Sequence, residues 1–293
     1  MKKTHFHQGE LKIQDKYNIK HDPRLAERLL KDHVMEQLVP FIEQQSTVIV
    51  STKDMEGNIW ASMLLGDTGL VKVATSKQIY IQLNHLKSTR KEILFTNIKS
   101  QSNIGLLFID TATRTRYRLN GEATLYPDKI EITVSEAYPN CPKYIQQRVP
   151  AFSEEISELG MEEIKGTRLN SEQLKWIKKA DTFFLGSVNT AGNMDASHRG
   201  GSTGFIELLE DNTLKIPDYI GNNLFNTLGN FVQVPKAGLL FIDFEKGHSL
   251  QITGETELIF DQQEVQDVEK LWARVDIGFL DHKNGYKHNF TTK

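Results

Sequence analysis

The hexapeptide GLLFID occurs twice in this chain, at residues 105 to 110 and at 238 to 243. Other pairs recur around it in the same order. NGEATL from 120 is answered by TGETEL from 253, again 133 positions on, and WASMLLGDTGL (60–70) shares a skeleton with DASHRGGSTGF (195–205) at a shift of 135. A two-residue deletion in one connecting loop reconciles the two shifts. The run of identities, flanked by matched Gly-Glu, Ala-Ser and Thr-Gly pairs, predicts two copies of one unit. The period is far longer than the ~20 to 50 residues of a solenoid repeat, so the repeated unit is a complete domain.

Each copy reads as β-rich. Short apolar runs, TVIVS (47–51), GLVKVA (69–74) and IGLLFID (104–110), are answered by FFLGSV (183–188), GFIELL (204–209) and AGLLFIDF (237–244). Helices are expected at the joints. Pro23 to Gln44 carries Leu25, Leu29, Leu30, Val34, Leu38 and Ile42 at three- and four-residue spacing, one apolar face. Asn170 with Gln173 forms a capping pair before the second copy, and Asp261 with Glu264 opens a C-terminal helix bearing Val265, Val268 and Trp272. Residues 129–170 read as helix and loop, which places the boundary between a first domain, 1–150, and a second, 151–293. The fold class expected is mainly β with flanking helices, α+β.

The totals fit a soluble globular chain: 293 residues, 39% hydrophobic, 25% charged, net charge −3. Neither nucleic acid nor an anionic membrane is implied as a partner. No run approaches the ~18 apolar residues of a membrane span and no signal peptide is visible, so the expectation is cytoplasmic. Cys141 is the only cysteine, which excludes an internal disulfide. His5 and His7 share a face if extended, but two ligands without a third make no metal site.

The two copies differ most at DASHRGG. As a strand, it turns Ser197 and Arg199 to one face and His198 to the other. Adjacent Ser and His cannot readily form a hydrolase pair, and no G-x-S-x-G elbow surrounds them. Gly200-Gly201 removes side chains where the backbone could lie against something flat. Downstream, Asp218, Tyr219, Asn222 and Asn223 precede the apolar helical residues Leu224, Phe225 and Leu228. A helix opening at the asparagines is a natural seat for phosphate, and Arg199 supplies a guanidinium fork. Simple N-capping is the plainer reading of the asparagines. Neither G-x-x-x-x-G-K-[ST] nor G-x-G-x-x-G is present.

DASHRGG, PDYIGNNLFNTLGN and GLLFIDF, with FHQGEL near the start and NCPKYIQQR at 140–148, resemble the FMN-binding split barrels of the pyridoxamine 5′-phosphate oxidase-like superfamily. The resemblance covers nearly the whole chain. It implies two tandem split β-barrels forming an intrachain pseudo-dimer, with FMN against Ser197, His198, Arg199 and Gly200. It puts Arg199, Asn222 and Asn223 at the phosphate and Asp218 and Tyr219 beside the ribityl chain or ring. Members that are true oxidases have basic residues where this chain has the two asparagines. The first copy would lend partner residues from TRTRYRLNG (113–121), whose Arg114, Arg116 and Arg118 share one face, with Tyr144 and Arg148 further along. Trp60, Met63 and Leu64 replace the Asp, His and Arg of the second copy, so one flavin per chain is expected, although Lys87, Ser88, Arg90 and Lys91 stand near a phosphate turn of the first.

The function implied is FMN-dependent oxidation or reduction of an unidentified small molecule, with a separate electron-donating reductase as partner and a homodimer left open. The alternative is a flavin- or haem-binding carrier or sensor without turnover. A third reading, a scaffold without ligand, conflicts with retention of Arg199 and the asparagine pair.

Overall fold

A computed structural model describes residues 6–19, 23–88, 90, 92–152, 162–210, 212–244, 247–260, 271–275, 278–283 and 288–292. The first half contains β1 (Thr47–Lys53), β2 (Ile59–Leu65), β3 (Val71–Thr75), β4 (Gln78–Gln82), β5 (Asn103–Asp110), β6 (Thr115–Leu125) and β7 (Lys129–Pro139). Two short strands follow, β8 (Arg148–Phe152) and β9 (Glu162–Gly166). The second half contains β10 (Thr182–Val188), β11 (Met194–Gly200), β12 (Glu207–Leu208), β13 (Leu214–Asp218), β14 (Lys236–Asp243), β15 (His248–Ile259) and β16 (Leu271–Val275), then β17 (Gly278–Lys283) and β18 (His288–Thr292). Helices are α1 (Gln8–Lys16), α2 (Pro23–Leu29), α3 (Val39–Glu43), α4 (Ile93–Ser100), α5 (Ser171–Lys179) and α6 (Asn226–Gln233). The molecule is mainly β with flanking helices. No described helix is long and apolar enough to cross a membrane.

The first sheet has seven strands in the order β2-β1-β5-β6-β7-β4-β3, and the second, of nine strands, contains a path of seven in the matching order β11-β10-β14-β15-β16-β13-β12, with β17 paired off it to β15 and β9 to β17. Their registers agree as well. Val50 faces Leu106 as Leu185 faces Leu239, each pair at the repeat spacing. Even a buried polar contact recurs: Asn97 Nδ2 donates to Thr52 Oγ1 at 2.9 Å, and Asn230 Nδ2 to Ser187 Oγ at 2.9 Å. Each asparagine side chain ties the helix before its GLLFID strand, α4 or α6, to that strand's neighbour.

Each sheet encloses its own apolar core, and a third lies between them. Ile49, Ala61, Leu107 and Ile109 of the first half meet Phe184, Ala196, Leu240 and Ile242 of the second, which are their repeat equivalents. The glycine that opens GLLFID explains the closeness of this contact. A Cβ on Gly105 would stand 2.9 Å from the Asp195 backbone, and one on Gly238 would stand 2.6 Å from the Ile59 carbonyl oxygen. Each half thus uses its own glycine to admit the second strand of the other.

Several elements differ from the sequence reading. Pro23–Gln44 is not one helix: α2 ends at Leu29, Lys31 exchanges backbone hydrogen bonds with Ala137, and α3 starts afresh around Pro40. A proline without an N–H is tolerated only in a first turn, so the periodic apolar face spans two helices. Residues 129–139 are strand rather than helix, with Ile130, Ile132 and Val134 buried at period two. Asp261, Glu264, Val265 and Val268 lie outside the described residues, while Trp272 falls on β16. The Asn170–Gln173 capping box is present as read.

Gly238→Val should overpack the sheet crossing and destabilise the protein by about 1–3 kcal/mol. Urea unfolding measures this, and a wild-type midpoint would contradict the close approach described.

Candidate functional site

Where β6 of the first sheet crosses β11 of the second, a cleft opens against the turn that leads into α6. Its polar lobe, about 560 Å³ and open to solvent, is lined by Arg116, Arg118, His198, Arg199, Asp218, Tyr219 and the asparagines 222, 223 and 226. A second lobe of about 430 Å³ adds Lys143, Tyr144, Gly200 and Phe205. Arg116, Cys141, His198, Arg199 and Tyr219 border both lobes. The cleft therefore draws on both halves of the chain.

Alternation along β11 sorts its side chains as the sequence implied. Ser197 is fully buried beneath the cleft, where its Oγ accepts from Arg118 and lies 2.9 Å from Thr227 Oγ1. Arg199, on the same face, is ion-paired with Asp218. His198 points the other way, its ring edge against Phe184 and its Nδ1 3.2 Å from Arg116 Nη1. A guanidinium can only donate, so Nδ1 accepts and the ring hydrogen sits on Nε2. That Nε2 is buried without a partner, as is the Nε of Arg116. Burial first, then Arg116, Arg199, Arg148 and Arg118, hold His198 well below the usual imidazole range, so it is neutral at pH 7.

Below the cleft Arg118 meets Asp195 at 3.2 Å, and both bond to the Tyr138 hydroxyl. Asp195 is pushed up by burial and pulled back by Arg118. Nearby Glu136, held by Asn120 Nδ2 at 3.1 Å, is raised to about 7, chiefly by burial and then by Asp195. Glu10 on α1 is raised to about 8 for the same leading reason. Arg116 has the opposite difficulty. Burial, Arg118 and Arg199 push it down to about 9, and no carboxylate among the described residues pairs with it. A guanidinium seldom surrenders its proton, so the charge remains and the pocket attracts an anion.

Of the residues singled out by sequence, His198, Arg199, Asp218, Tyr219, Asn222, Asn223, Arg116, Tyr144 and Gly200 are gathered at the cleft. Arg148 is set apart, ion-paired with Asp181 beneath the Phe244 ring. Arg114 leaves the basic strand for the preceding turn, with φ at 55°. The asparagines do not open the helix. Asn222 Oδ1 accepts from the Leu224 amide, Asn223 has φ 60°, and α6 begins at Asn226 behind an N-cap, Phe225, that makes no side-chain bond. Asn favours such turns because its short amide bonds nearby backbone and tolerates left-handed geometry. The glycine pair serves the chain itself: a Cβ on Gly200 would overlap the Tyr144 carbonyl, and Gly201 lies under the Phe205 ring. Tyr144 in turn stacks on Tyr219, with centroids 5.1 Å apart.

Cys141 and Thr227 line the cleft and were not singled out by sequence; Arg118, expected on one face with Arg116 as a residue lent by the first half, lines it too. At the equivalent place in the other half, Gln251 Nε2 donates to Ser62 Oγ at 2.7 Å, so the same crossing contact is uncharged there. Lys87 is ion-paired with Asp67 and Arg90 donates to the Pro127 carbonyl at 2.9 Å. His5 lies outside the described residues, His7 caps α1, and no metal-holding cluster occurs among those described.

No family model and no curated protein matches this chain. Solved structures match parts of it. Several are pyridoxamine 5′-phosphate oxidase-like or FMN-binding proteins. A pyridoxamine 5′-phosphate oxidase-related, FMN-binding protein from Nostoc punctiforme is 13% identical, over 43% of this chain and 91% of that one, with a TM-score of 0.30. An FMN-binding protein from Syntrophomonas wolfei is 8% identical, over 44% and 95%, at 0.28. HupZ of Group A Streptococcus is 13% identical, over 42% and 99%, at 0.32. Likenesses at this level decide nothing about the ligand, which the cleft itself must argue.

Glu10 and Glu136 bind protons more tightly folded than unfolded, so their stabilising effect is full below about 4.5 and is lost as pH rises through about 7 to 8. The melting temperature should accordingly fall between about pH 5 and pH 9, and the double variant Glu10→Gln, Glu136→Gln should flatten that slope. An unchanged slope in the double variant would show that these carboxyls are not its source.

Proposed function

We propose that this chain is an FMN-binding protein of the split-barrel kind, built from two copies of one barrel paired as a pseudo-dimer, and that it holds one flavin per chain. Residues 1–150 and 151–293 are the two units in this reading, with α1 reaching across to α6. Support for the pairing comes from the shared strand order and from equivalent residues meeting between the sheets.

The observation that carries the ligand assignment is Arg116: half-buried in the cleft wall, without a carboxylate among the described residues, its buried Nε unpartnered and its neighbour an imidazole whose remaining nitrogen is an unused donor. A pocket that offers N–H groups and no acceptor for them suits a phosphate. Arg116 is thus the leading anion receptor. Arg199, already paired with Asp218, supports it, and the amides of Asn222 and Asn223 add neutral donors. Tyr219 and Phe205 present the aromatic walls available to a flat ring. Bound FMN supplies hydride and electron transfer, while the protein supplies position and electrostatics. Neutral His198 has its Nε2 hydrogen available to donate.

One flavin rather than two is supported by the equivalent crossing, where Ser249, Gln251, Met63 and Leu64 stand in for Arg116, Arg118, His198 and Arg199. The chemistry proposed is flavin-dependent oxidation or reduction of a small molecule, fed by a separate reductase where electrons are required. A carrier that binds FMN without turnover would use the same cleft, and reduction of the bound flavin by a donor followed by substrate-dependent reoxidation separates the two.

Flavin fluorescence quenching should titrate to one FMN per chain. Arg116→Ala should weaken binding by about 1–3 kcal/mol, the scale of a lost charge-assisted contact, whereas Lys87→Ala should leave it within about twofold because that ammonium serves Asp67. Two equivalents of flavin, or an Arg116→Ala protein with unaltered affinity, would overturn the assignment.

A further inference from the structure

The turn that walls the polar lobe is poorly held by its own sequence. Asn223 and Phe225 both adopt left-handed backbone, with φ of 60° and 58°, and the helix that follows has no side-chain cap. Left-handed geometry is unfavourable for residues other than glycine, and two such residues so close together need outside support. α1 provides it. Gly9 and Gly229 bring the helices α1 and α6 into backbone contact, a Cβ on Gly229 standing 2.6 Å from the Glu10 nitrogen. From that position one face of α1 and its C-cap grips the turn at regular spacing. Glu10 Oε1 accepts from Asn226 Nδ2 at 2.7 Å, Gln14 Nε2 donates to the Asn223 carbonyl at 3.2 Å, and the Tyr17 ring stacks on Phe225 at 5.7 Å. Glu10 and Gln14 are 3% and 2% exposed. Residues 10, 14 and 17 follow the i, i+4, i+7 stripe of one helix face, and each takes a different residue of the turn.

We propose that α1 is the positioning element of the ligand cleft, with Glu10 and Gln14 fixing the turn in which Asn222, Asn223 and Asn226 meet the bound anion. Neither residue lines the cleft, so both act through the turn. The effect on affinity rests on the FMN reading above; the effect on the turn does not. Glu10 also gives the device a proton dependence. It is faced by His7 of its own segment at 3.6 Å, by Glu136 of β7, by Asp195 of β11 and by Asn226 of α6. Burial and the two carboxylates raise it to about 8. Above that pH a negative charge develops directly behind a turn that receives an anion, and binding weakens.

The test uses the full chain as wild type, Glu10→Ala, Glu10→Gln and Gln14→Ala. Amide hydrogen exchange over residues 223–228 is followed without ligand, and FMN titrations are run at about pH 7 and pH 9. Expected are exchange faster by about five- to tenfold in Glu10→Ala and Gln14→Ala, the scale of one lost buried hydrogen bond, with FMN affinity reduced by a similar factor. Glu10→Gln, which keeps the acceptor for Asn226, should restore slow exchange and abolish the loss of affinity that wild type shows at the higher pH. Unchanged exchange in both alanine variants would overturn the proposal, and so would unchanged FMN affinity in both where wild type binds. Should wild type bind no FMN, the flavin reading fails while the exchange data still decide the role of α1. Gln14→Ala guards against a Glu10→Ala protein that does not fold.

Discussion

The face-to-face crossing of two equivalent sheets is the contact on which the remainder of this molecule depends. In a two-fold interface, a residue on the axis meets its own equivalent. That condition is satisfied inside one chain: Ser51 and Gly186, 135 positions apart, face each other, and a Cβ on Gly186 would overlap the Ser51 hydroxyl. Away from the axis the contacts come in matched pairs, Gly105 against Asp195 and Gly238 against Trp60. The recurrence of GLLFID thus has a packing reason. Its glycine admits a foreign strand and its alternate apolar residues fill both its own core and the shared one.

The two equivalent ends of the crossing are chemically unlike. Arg118 and Gln251 reach for equivalent serines, Ser197 and Ser62, but only the first sits beside a carboxylate, Asp195, where the other half has Trp60. Trp60 is instead anchored by its own neighbourhood, its Nε1 donating to Asp54 at 2.9 Å. The charged crossing is costly to fold. A buried ion pair seldom repays the desolvation of both partners, and removing one partner leaves the other stranded. The surrounding apolar cores offset that cost.

Much of this was legible in the chain. The β-rich runs, the capping box at Asn170 and the polar strand DASHRGG each carry a local signal that tertiary structure did not override. Other features depended on contacts distant in sequence. Gly200 looks like room for a flat ligand until the Tyr144 carbonyl is seen to occupy that room, and the apolar face of Pro23–Gln44 cannot report that Lys31 will pair with Ala137. The strand at 129–139 was readable from Ile130, Ile132 and Val134, whose period of two outweighs the polar residues between them. Glu10 was not singled out by sequence, because its partner Asn226 lies 216 positions away.

Arg116 links this architecture to ligand binding. Its guanidinium is half-buried near Arg118 and Arg199 with no carboxylate of its own among the described residues, so the fold bears a repulsion that its cores must outweigh. An anion seated there contributes its own contacts and also removes that repulsion, and anything that binds the folded state alone shifts the unfolding equilibrium by mass action. Under the proposed function, stability and occupancy are therefore coupled through Arg116. The cleft needs both halves of the chain, since Arg116 comes from the first and the turn that faces it from the second.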